Sequence, residues 1–257
     1  MRLENRIAVV TGAGSGIGRE IARAFAVEGA TLAVTDINAA SAKETVLELP
    51  GSGHQAFAND VSSGPSVVET FAAIDAAFGR VDILVNNAGV DHTPGDGREY
   101  MLEPGQVIVH MTDEGFTRMM EINVNGVFFC LREAVKLMQR EGNAGAIVNM
   151  SSIAGLSAHG TLHYAAAKSA VLGITRAAAR ELGPCGIRVN AICPGVIDTP
   201  MTAGVPDAAL KPLIGATPLG RTGKPDDIAM AAVYLASDES SFVTGQWLSP
   251  NGGLIMC

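Results

Sequence analysis

The sequence predicts a single α/β domain in which helices cover both faces of one doubly wound, mainly parallel sheet. Short apolar runs such as Ile7–Thr11 alternate along the chain with amphipathic segments such as 19–28. The 257 residues are 47% hydrophobic, which is enough apolar material for one large core without a second domain. Only 17% are charged, which argues against disorder. We therefore expect one domain over 1–257.

Charge and composition narrow the choice of partners and location. The formal net charge of −8 argues against nucleic acid and anionic membrane surfaces. The first apolar run, 7–10, is too short for a signal peptide or a membrane span. The five histidines lack paired metal-ligand spacing, so we predict no metal site. Without a Cys-x-x-Cys pair, the cysteines are expected to be reduced thiols in a cytoplasmic protein: Cys130, Cys185, Cys193 and Cys257.

A glycine-rich loop joins the first strand to the first helix, and its sequence is Gly12-Ala-Gly14-Ser15-Gly16-Ile17-Gly18. Missing side chains let the backbone approach a pyrophosphate, and the helix N-terminus presents free N–H groups to it. The strand before the loop and the helix after it make a dinucleotide site the favoured interpretation. The alternative is that the glycines serve only a tight turn.

A carboxylate ends the second predicted strand, Thr31–Asp36. Asp36 can accept hydrogen bonds from the adenosine ribose hydroxyls and would repel a 2′-phosphate. Ser15 and Ile37 occupy positions where a basic residue would hold that phosphate. These positions predict NAD rather than NADP, unless Asp36 is only a helix N-cap or turn residue.

The alternation of strands and helices continues to the end of the chain. Further strands are predicted at Gln55–Ala58, 82–85, 146–150, 187–193 and 243–248. Further helices are predicted at 39–49, 65–78, 112–141, 161–182 and 225–235.

Tyr164 and Lys168 lie one turn apart in the predicted helix 161–182, and therefore on one face. An ammonium about 4 Å from a phenol, at an effective dielectric of about 20, contributes roughly 4 kcal/mol. That is roughly three pKa units, which would bring the tyrosine pKa close to 7, where general acid–base catalysis works best. Taken alone, this spacing also occurs on solvated helix faces.

Together, these motifs resemble those of the short-chain dehydrogenase/reductase family, in its single-domain type of about 250 residues. The matching motifs follow the family order over nearly the whole chain: Thr11-Gly12-x-x-x-Gly16-Ile17-Gly18, Asp60-Val61, Asn86-Asn87-Ala88-Gly89, Asn123, Ser151-Ser152, Tyr164-x-x-x-Lys168 and Pro194-Gly195. The resemblance implies a Rossmann fold and a nicotinamide cofactor. It implies cofactor contacts at Gly12, Ser15, Gly16, Ile17, Gly18, Asp36, Asp60, Val61, Asn87, Ala88, Gly89, Tyr164, Lys168, Pro194, Gly195, Ile197 and Thr199.

The resemblance also implies a catalytic set of Asn123, Ser152, Tyr164 and Lys168. Tyr164 would exchange the proton, Lys168 would depress its pKa and hold the ribose, and Asn123 would support a water relay. Periodicity alone does not separate Asn123 from Asn125. The family spacing from serine to tyrosine is commonly thirteen residues, which fits Ser151, but the Ser-Ser-x-x-Gly pattern favours Ser152 as the group that binds the substrate oxygen.

Two segments depart from the family or vary within it. An insertion of roughly ten residues near 91–111 is expected either to line the substrate pocket or to form a surface excursion or subunit contact. A substrate loop is expected near 197–221. Both offer mainly apolar side chains, which suit an apolar secondary alcohol or ketone: Tyr100, Met101, Leu102, Val107, Ile108, Met111, Met201, Leu210, Leu213 and Ile214.

The function predicted from the sequence is reversible hydride transfer between NAD and a secondary alcohol/ketone pair, aliphatic, cyclic or aryl. The alternatives are reduction of a 3-oxoacyl thioester and a catalytically silent NAD-binding scaffold. The expected partner is a small-molecule substrate. The family resemblance implies a homotetramer in which the helices 112–141 and 161–182 pair across subunits.

Overall fold

One parallel sheet forms the centre of the molecule in the computed structural model, which describes residues 1–140, 142, 144–157, 159–205 and 207–256. Its strands in the described residues are β1 (Ile7–Thr11), β2 (Thr31–Asp36), β3 (Gln55–Ala58), β4 (Ile83–Asn86), β5 (Gly145–Met150), β6 (Ile187–Ile192) and β7 (Trp247–Leu248). They pair in the order β3-β2-β1-β4-β5-β6-β7, and every pairing is parallel. The order reverses between β1 and β4, and ligands of such sheets bind beyond the carboxyl ends of the strands at this point.

Helices cover both faces of the sheet. They are α1 (Gly16–Val27), α2 (Ala39–Glu48), α3 (Gly64–Phe78), α4 (Gln106–His110), α5 (Asp113–Met120), α6 (Gly126–Arg140), α7 (Ala154–Ser157), α8 (Leu162–Leu182), α9 (Asp207–Ala216) and α10 (Pro225–Ala236). A π-helical turn, Glu121–Asn125, joins α5 to α6. None of the helices in the described ranges is long and apolar enough to cross a membrane.

The core consists of two layers because side chains alternate across the strands. On one face Val10 packs in a cluster with Phe25 of α1 and Ile228 of α10. On the other face Val9 packs in a cluster with Phe71 of α3 and Met138 of α6. The two layers hold the carboxyl ends of β1, β4, β5 and β6 at one edge.

The structure confirms the doubly wound parallel fold and most of its elements. The first three strands have the expected bounds, and the predicted helix 161–182 is α8. The predicted final strand, 243–248, is paired only at Trp247–Leu248, because Gly245 bends the backbone with a φ of 72°.

Two further elements differ from the sequence-based expectation. The helix predicted at 112–141 includes the π-helical turn, and Glu141 lies outside the described residues. The expected loop 197–221 contains α9, which holds Pro212 within it and shows no strong polar–apolar periodicity in sequence.

Candidate active site

A cleft of about 940 Å³ opens at the carboxyl ends of the strands. One end is lined by the glycine-rich loop, the end of β2 and residues 59–61. The other end is lined by the 91–111 segment, the start of α8, and α9. The predicted site residues line this cleft, except for Gly18 and Asn123, which lie behind its wall.

The glycine-rich loop is packed too closely for side chains. A Cβ on Gly18 would overlap the Gly12 carbonyl oxygen and Asn87 Nδ2. Gly12 itself has a φ of +62°, and a Cβ there would lie 2.7 Å from Ala88 Cα. Helix α1 begins at Gly16, so its first N–H groups face the cleft where a phosphate would bind.

Asp36 is fixed by this loop at the carboxyl end of β2. The Gly14 N–H donates to Asp36 Oδ2 at 2.9 Å, and the Asn38 N–H donates to Oδ1 at 2.9 Å. The N-cap of α2 is Asn38, whose side chain accepts from Ala40 and Ser41. Asp36 is therefore not the cap of that helix, and its carboxylate lines the cleft beside Ile37.

The carboxyl ends of β1 and β4 are tied together beneath the cleft. Asn87 Nδ2 donates to the carbonyl oxygens of Thr11 at 2.9 Å and Gly12 at 3.1 Å. The Thr11 hydroxyl accepts from the N–H groups of Asn87 and Ala88, both at 3.0 Å. These bonds fix the Asn87–Gly89 backbone as part of the cleft wall.

The two serines after β5 have different surroundings. Ser151 is buried and donates to the Lys168 carbonyl oxygen at 2.8 Å, which attaches β5 to α8. Ser152 lies close enough to Tyr164 to lower the pKa of its hydroxyl, and the Ser152 oxygen accepts from the Ala154 N–H at 3.1 Å. The geometry thus brings Ser152, rather than Ser151, to the tyrosine.

The expectation that the Tyr164 pKa lies close to 7 is contradicted. Burial raises the pKa of Tyr164 to about 12, Ser152 offsets this in part, and the Asp91 carboxylate raises it further. Lys168 Nζ lies 5.6 Å from the tyrosine ring centroid and donates to the Met150 carbonyl oxygen at 3.0 Å. Burial lowers the pKa of Lys168 to about 8, with a small opposing effect of Cys193. These desolvation costs, which the spacing of Tyr164 and Lys168 does not reveal, disfavour both charged forms.

Asn123 lies in the π-helical turn and is fully buried, whereas Asn125 is exposed. Asn123 Nδ2 donates to the Val90 carbonyl oxygen at 3.0 Å, and its Oδ1 accepts from the Val90 N–H at 3.3 Å. A Cβ on Gly89 would lie 2.5 Å from Asn123 Oδ1 and 3.4 Å from Lys168 Nζ. Asn123 therefore supports the wall of the cleft directly behind the lysine.

Segment 91–111 is folded onto the mouth of the cleft. Arg98 Nη1 donates to Asp91 Oδ2 at 2.9 Å, and both side chains are about four-fifths buried: their side-chain exposures are 18% and 20%. Neither residue was predicted as a site residue, because nothing in their spacing in the sequence indicates that they pair.

Apolar side chains line much of the same end of the cleft. Of the candidates named from the sequence, the lining includes Met101, Val107, Ile108, Met201, Leu210 and Leu213, but not Tyr100, Leu102, Met111 or Ile214. Tyr100 instead stacks on His110, with ring centroids 3.9 Å apart.

Comparison with known proteins agrees with this fold. A family model described as Enoyl-(Acyl carrier protein) reductase matches residues 12–255. The (3R)-3-hydroxyacyl-CoA dehydrogenase of Canis lupus familiaris is 39% identical, with 100% of this chain and 98% of the relative covered. The 3-oxoacyl-[acyl-carrier-protein] reductase of Thermotoga maritima is 38% identical, with all of both chains covered.

A solved short-chain type dehydrogenase/reductase from Mycobacterium marinum superimposes with a TM-score of 0.88. It is 32% identical, and 99% of this chain and 97% of that chain are covered. The fold and the site define a dinucleotide-dependent α/β oxidoreductase acting on a CH–OH group or the corresponding ketone. The chain belongs to the short-chain dehydrogenase/reductase family, whose members use a nicotinamide cofactor.

Proposed function

We propose that the protein is an NAD-dependent dehydrogenase that acts reversibly on the secondary hydroxyl group of a 3-hydroxyacyl thioester with an apolar acyl chain. The observation that carries this proposal is that Ser152 acts on the pKa of Tyr164, and that both residues line the same cleft as the glycine-rich loop and the apolar side chains. The names of two similar proteins, a hydroxyacyl-CoA dehydrogenase and an oxoacyl reductase, support the thioester. A net charge of −8 disfavours delivery on an acidic carrier protein.

The residues of the cleft fit a nicotinamide dinucleotide. The glycine-rich loop would bind the pyrophosphate, Asp36 the adenosine ribose, and Asp60 with Val61 the adenine end. Asn87, Ala88 and Gly89 would form the wall, and Pro194, Gly195, Ile197 and Thr199 would hold the nicotinamide end. When bound, the nicotinamide supplies hydride acceptance and donation.

Proton transfer is assigned to the protein's own groups. In oxidation Tyr164 takes the hydroxyl proton while the carbinol carbon loses hydride and its C–O bond becomes a carbonyl. Ser152 donates to the same substrate oxygen and fixes its position. Lys168, with a pKa near 8, is largely protonated at neutral pH and would bind the ribose hydroxyls. Asn123 would support proton exchange with solvent behind Lys168.

The raised tyrosine pKa gives the two directions different pH dependence. With a pKa of about 12 set by the protein alone, Tyr164 is protonated at neutral pH and can donate to a ketone oxygen. Oxidation needs the phenolate, so its rate is expected to rise as the pH increases toward that pKa. Positive charge from an oxidised nicotinamide would lower the pKa of Tyr164 in the ternary complex.

A second candidate substrate is an apolar secondary alcohol without an acyl group, which the lining by Met101, Val107, Met201 and Leu213 favours. The deciding experiment measures reduced-cofactor formation with 3-hydroxyacyl thioesters and with aliphatic, cyclic and aryl secondary alcohols, each with NAD and NADP. Turnover of thioesters with NAD would support the proposal. Turnover of simple alcohols alone would favour the second candidate, and a preference for NADP would contradict the role of Asp36.

A homotetramer and a cytoplasmic location remain predictions from the family resemblance and the cysteine pattern. Sedimentation velocity of the purified protein tests the first of them. A monomer at micromolar concentration would contradict it.

A further inference from the structure

The end of the cleft opposite the glycine-rich loop carries a charged pair inside an otherwise largely apolar wall. Asp91 and Arg98 both line the cleft, and they are joined by the 2.9 Å bond from Arg98 Nη1 to Asp91 Oδ2. Asp91 is close enough to Tyr164 to raise its pKa. Arg98 is therefore linked through Asp91 to Tyr164, the residue proposed to transfer the proton.

The position of Arg98 is fixed by the fold of segment 91–111. The Arg98 N–H donates to Asp96 Oδ1 at 2.9 Å, and the Thr93 N–H donates to Asp96 Oδ2 at 2.8 Å. Asp96 is itself buried, with Oδ2 3.3 Å from Nε2 of the buried His163. His163 precedes Tyr164 in α8, so the segment is anchored beside the tyrosine.

A second anchor attaches the same segment to α5. The Thr93 hydroxyl donates to the Gly115 carbonyl oxygen at 2.7 Å, and the Thr112 N–H donates to the Gly95 carbonyl oxygen at 2.8 Å. A Cβ on Gly115 would lie 2.7 Å from the Gly95 carbonyl oxygen, so the two backbones are in direct contact. Anchoring at both contacts holds the guanidinium in place before a ligand binds, which lowers the entropic cost of binding.

A guanidinium carries five N–H donors in a planar fork, and the bond to Asp91 uses one of them. The same group can therefore hold Asp91 and an acceptor oxygen of a ligand together. An apolar secondary alcohol has no second oxygen to offer, whereas an acyl compound has a carbonyl or carboxylate oxygen close to the carbinol carbon. Because Asp91 neutralises the charge of Arg98, the guanidinium is better suited to bind a neutral carbonyl oxygen than a carboxylate.

We propose that Arg98 is a specificity-determining residue that binds the acyl oxygen of the substrate, so that the cleft selects 3-hydroxyacyl compounds over simple secondary alcohols. This inference rests on the proposed function. It assigns substrate recognition to an arginine of segment 91–111, while proton transfer stays with Tyr164. Thioesters and free 3-hydroxy acids share the acyl oxygen, and the experiment separates them.

The test compares kcat/KM for three substrates of equal chain length: a 3-hydroxyacyl thioester, the free 3-hydroxy acid and a secondary alcohol without a carbonyl group. In Arg98→Met the value for the thioester is expected to fall about 10- to 100-fold, as for loss of a charge-assisted hydrogen bond. The value for the plain alcohol is expected to fall at least about tenfold less than that for the thioester, because this substrate has no acyl oxygen to lose. Any effect of the unpaired Asp91 on Tyr164 acts on both substrates alike. Arg98→Lys is expected to restore part of the thioester activity.

The ratio of thioester to plain-alcohol activity is the decisive quantity, because any loss of folded protein cancels within each variant. Arg23→Met is the matched control. Arg23 is an exposed residue of α1 that pairs with Glu20, so this substitution removes the same charge outside the cleft. An unchanged ratio in Arg98→Met, with a wild type that turns over thioesters, would overturn the inference alone. A wild type without thioester or hydroxy-acid turnover would overturn the proposed substrate and the inference with it. A larger loss with the free acid than with the thioester would identify a carboxylate as the group that Arg98 binds.

Discussion

Tyr164 shows how burial determines the protonation state of a single residue. Its half-buried side chain has a hydroxyl whose pKa is raised to about 12 by desolvation, which outweighs the favourable effect of Ser152. Lys168 loses affinity for its proton for the same reason. The protein alone therefore favours neutral phenol, and the ternary complex must supply the positive charge that oxidation requires.

The neighbouring serines allow a test at this scale. Ser152→Ala is expected to lower kcat about 100-fold, the size seen on removing a donor to a reacting oxygen, with little change in stability. Ser151→Ala removes the buried bond to the Lys168 carbonyl oxygen and is expected to lower the free energy of unfolding by about 1 kcal/mol. Steady-state kinetics and urea unfolding of both variants check this. The reverse assignment, with the kcat loss in Ser151→Ala, would contradict the geometry.

Asp91 offers a pH-dependent test. Its carboxylate disfavours the Tyr164 phenolate, so Asp91→Asn is expected to lower the tyrosine pKa. The rise of the oxidation rate with pH should therefore begin at lower pH than in the wild type. Glu103→Gln, an exposed change in the same segment, serves as the control and should leave the profile in place. A profile that stays unchanged or moves to higher pH in Asp91→Asn would show that Asp91 does not act on Tyr164.

At the scale of elements, the cleft depends on close approach between loops and strand ends. The glycine-rich loop lies against Asn87, and α1 starts within that contact. The ends of β1 and β4 and the start of the glycine-rich loop are connected by the hydrogen bonds that Asn87 makes to Thr11 and Gly12.

Gly18→Ala tests this contact. The added methyl group would overlap the Gly12 carbonyl and the Asn87 side chain, so we expect a loss of stability of about 1–3 kcal/mol together with weaker NAD binding. Gly215→Ala in α9 is the matched control, because a Cβ there meets no atom of the described residues within 4 Å outside the backbone of its own helix. It should be neutral or stabilising, since alanine is favoured in helices. Calorimetry and NADH titration compare the two, and equal effects would contradict the account.

The elements also show what the sequence could and could not predict. Apolar strands and the glycine-rich loop carry strong local patterns, and β1 to β3 have the predicted bounds. Helix α9 was not predicted because it contains Pro212 and few charged residues. Its helical conformation depends on tertiary packing rather than on local sequence preference. The pairing of Arg98 with Asp91 follows from the fold of segment 91–111, which no local pattern encodes. The predicted pKa of Tyr164 was wrong, because the burial of its hydroxyl depends on the folded chain.

For the whole molecule, the strand order places two different environments at one edge of the sheet. The β1–β4 switch point forms the polar, glycine-lined end of the cleft, and segment 91–111 together with α9 forms the mainly apolar end. Cofactor and substrate would meet where β5 and α8 bring Ser152 and Tyr164 together.

The stabilisation of the folded protein by bound cofactor tests the prediction that the cofactor is NAD rather than NADP. NAD at about 100 times its Kd is expected to raise the free energy of unfolding by about 2.7 kcal/mol. NADP at the same concentration should stabilise less, because Asp36 repels the 2′-phosphate. Asp36→Asn keeps the hydrogen-bonding oxygen and should narrow the difference between the cofactors. Equal stabilisation by NAD and NADP in the wild type would argue against the assignment.

The most direct test of the central claim follows the hydrogen on the carbinol carbon. A 3-hydroxyacyl thioester deuterated at that carbon is incubated with the protein and NAD, and the reduced cofactor is analysed by mass spectrometry. Deuterium is expected in the reduced nicotinamide, and the rate is expected to be at least about 100-fold lower in Tyr164→Phe with NADH binding retained. Deuterium released to water, or full turnover in Tyr164→Phe, would contradict hydride transfer assisted by Tyr164.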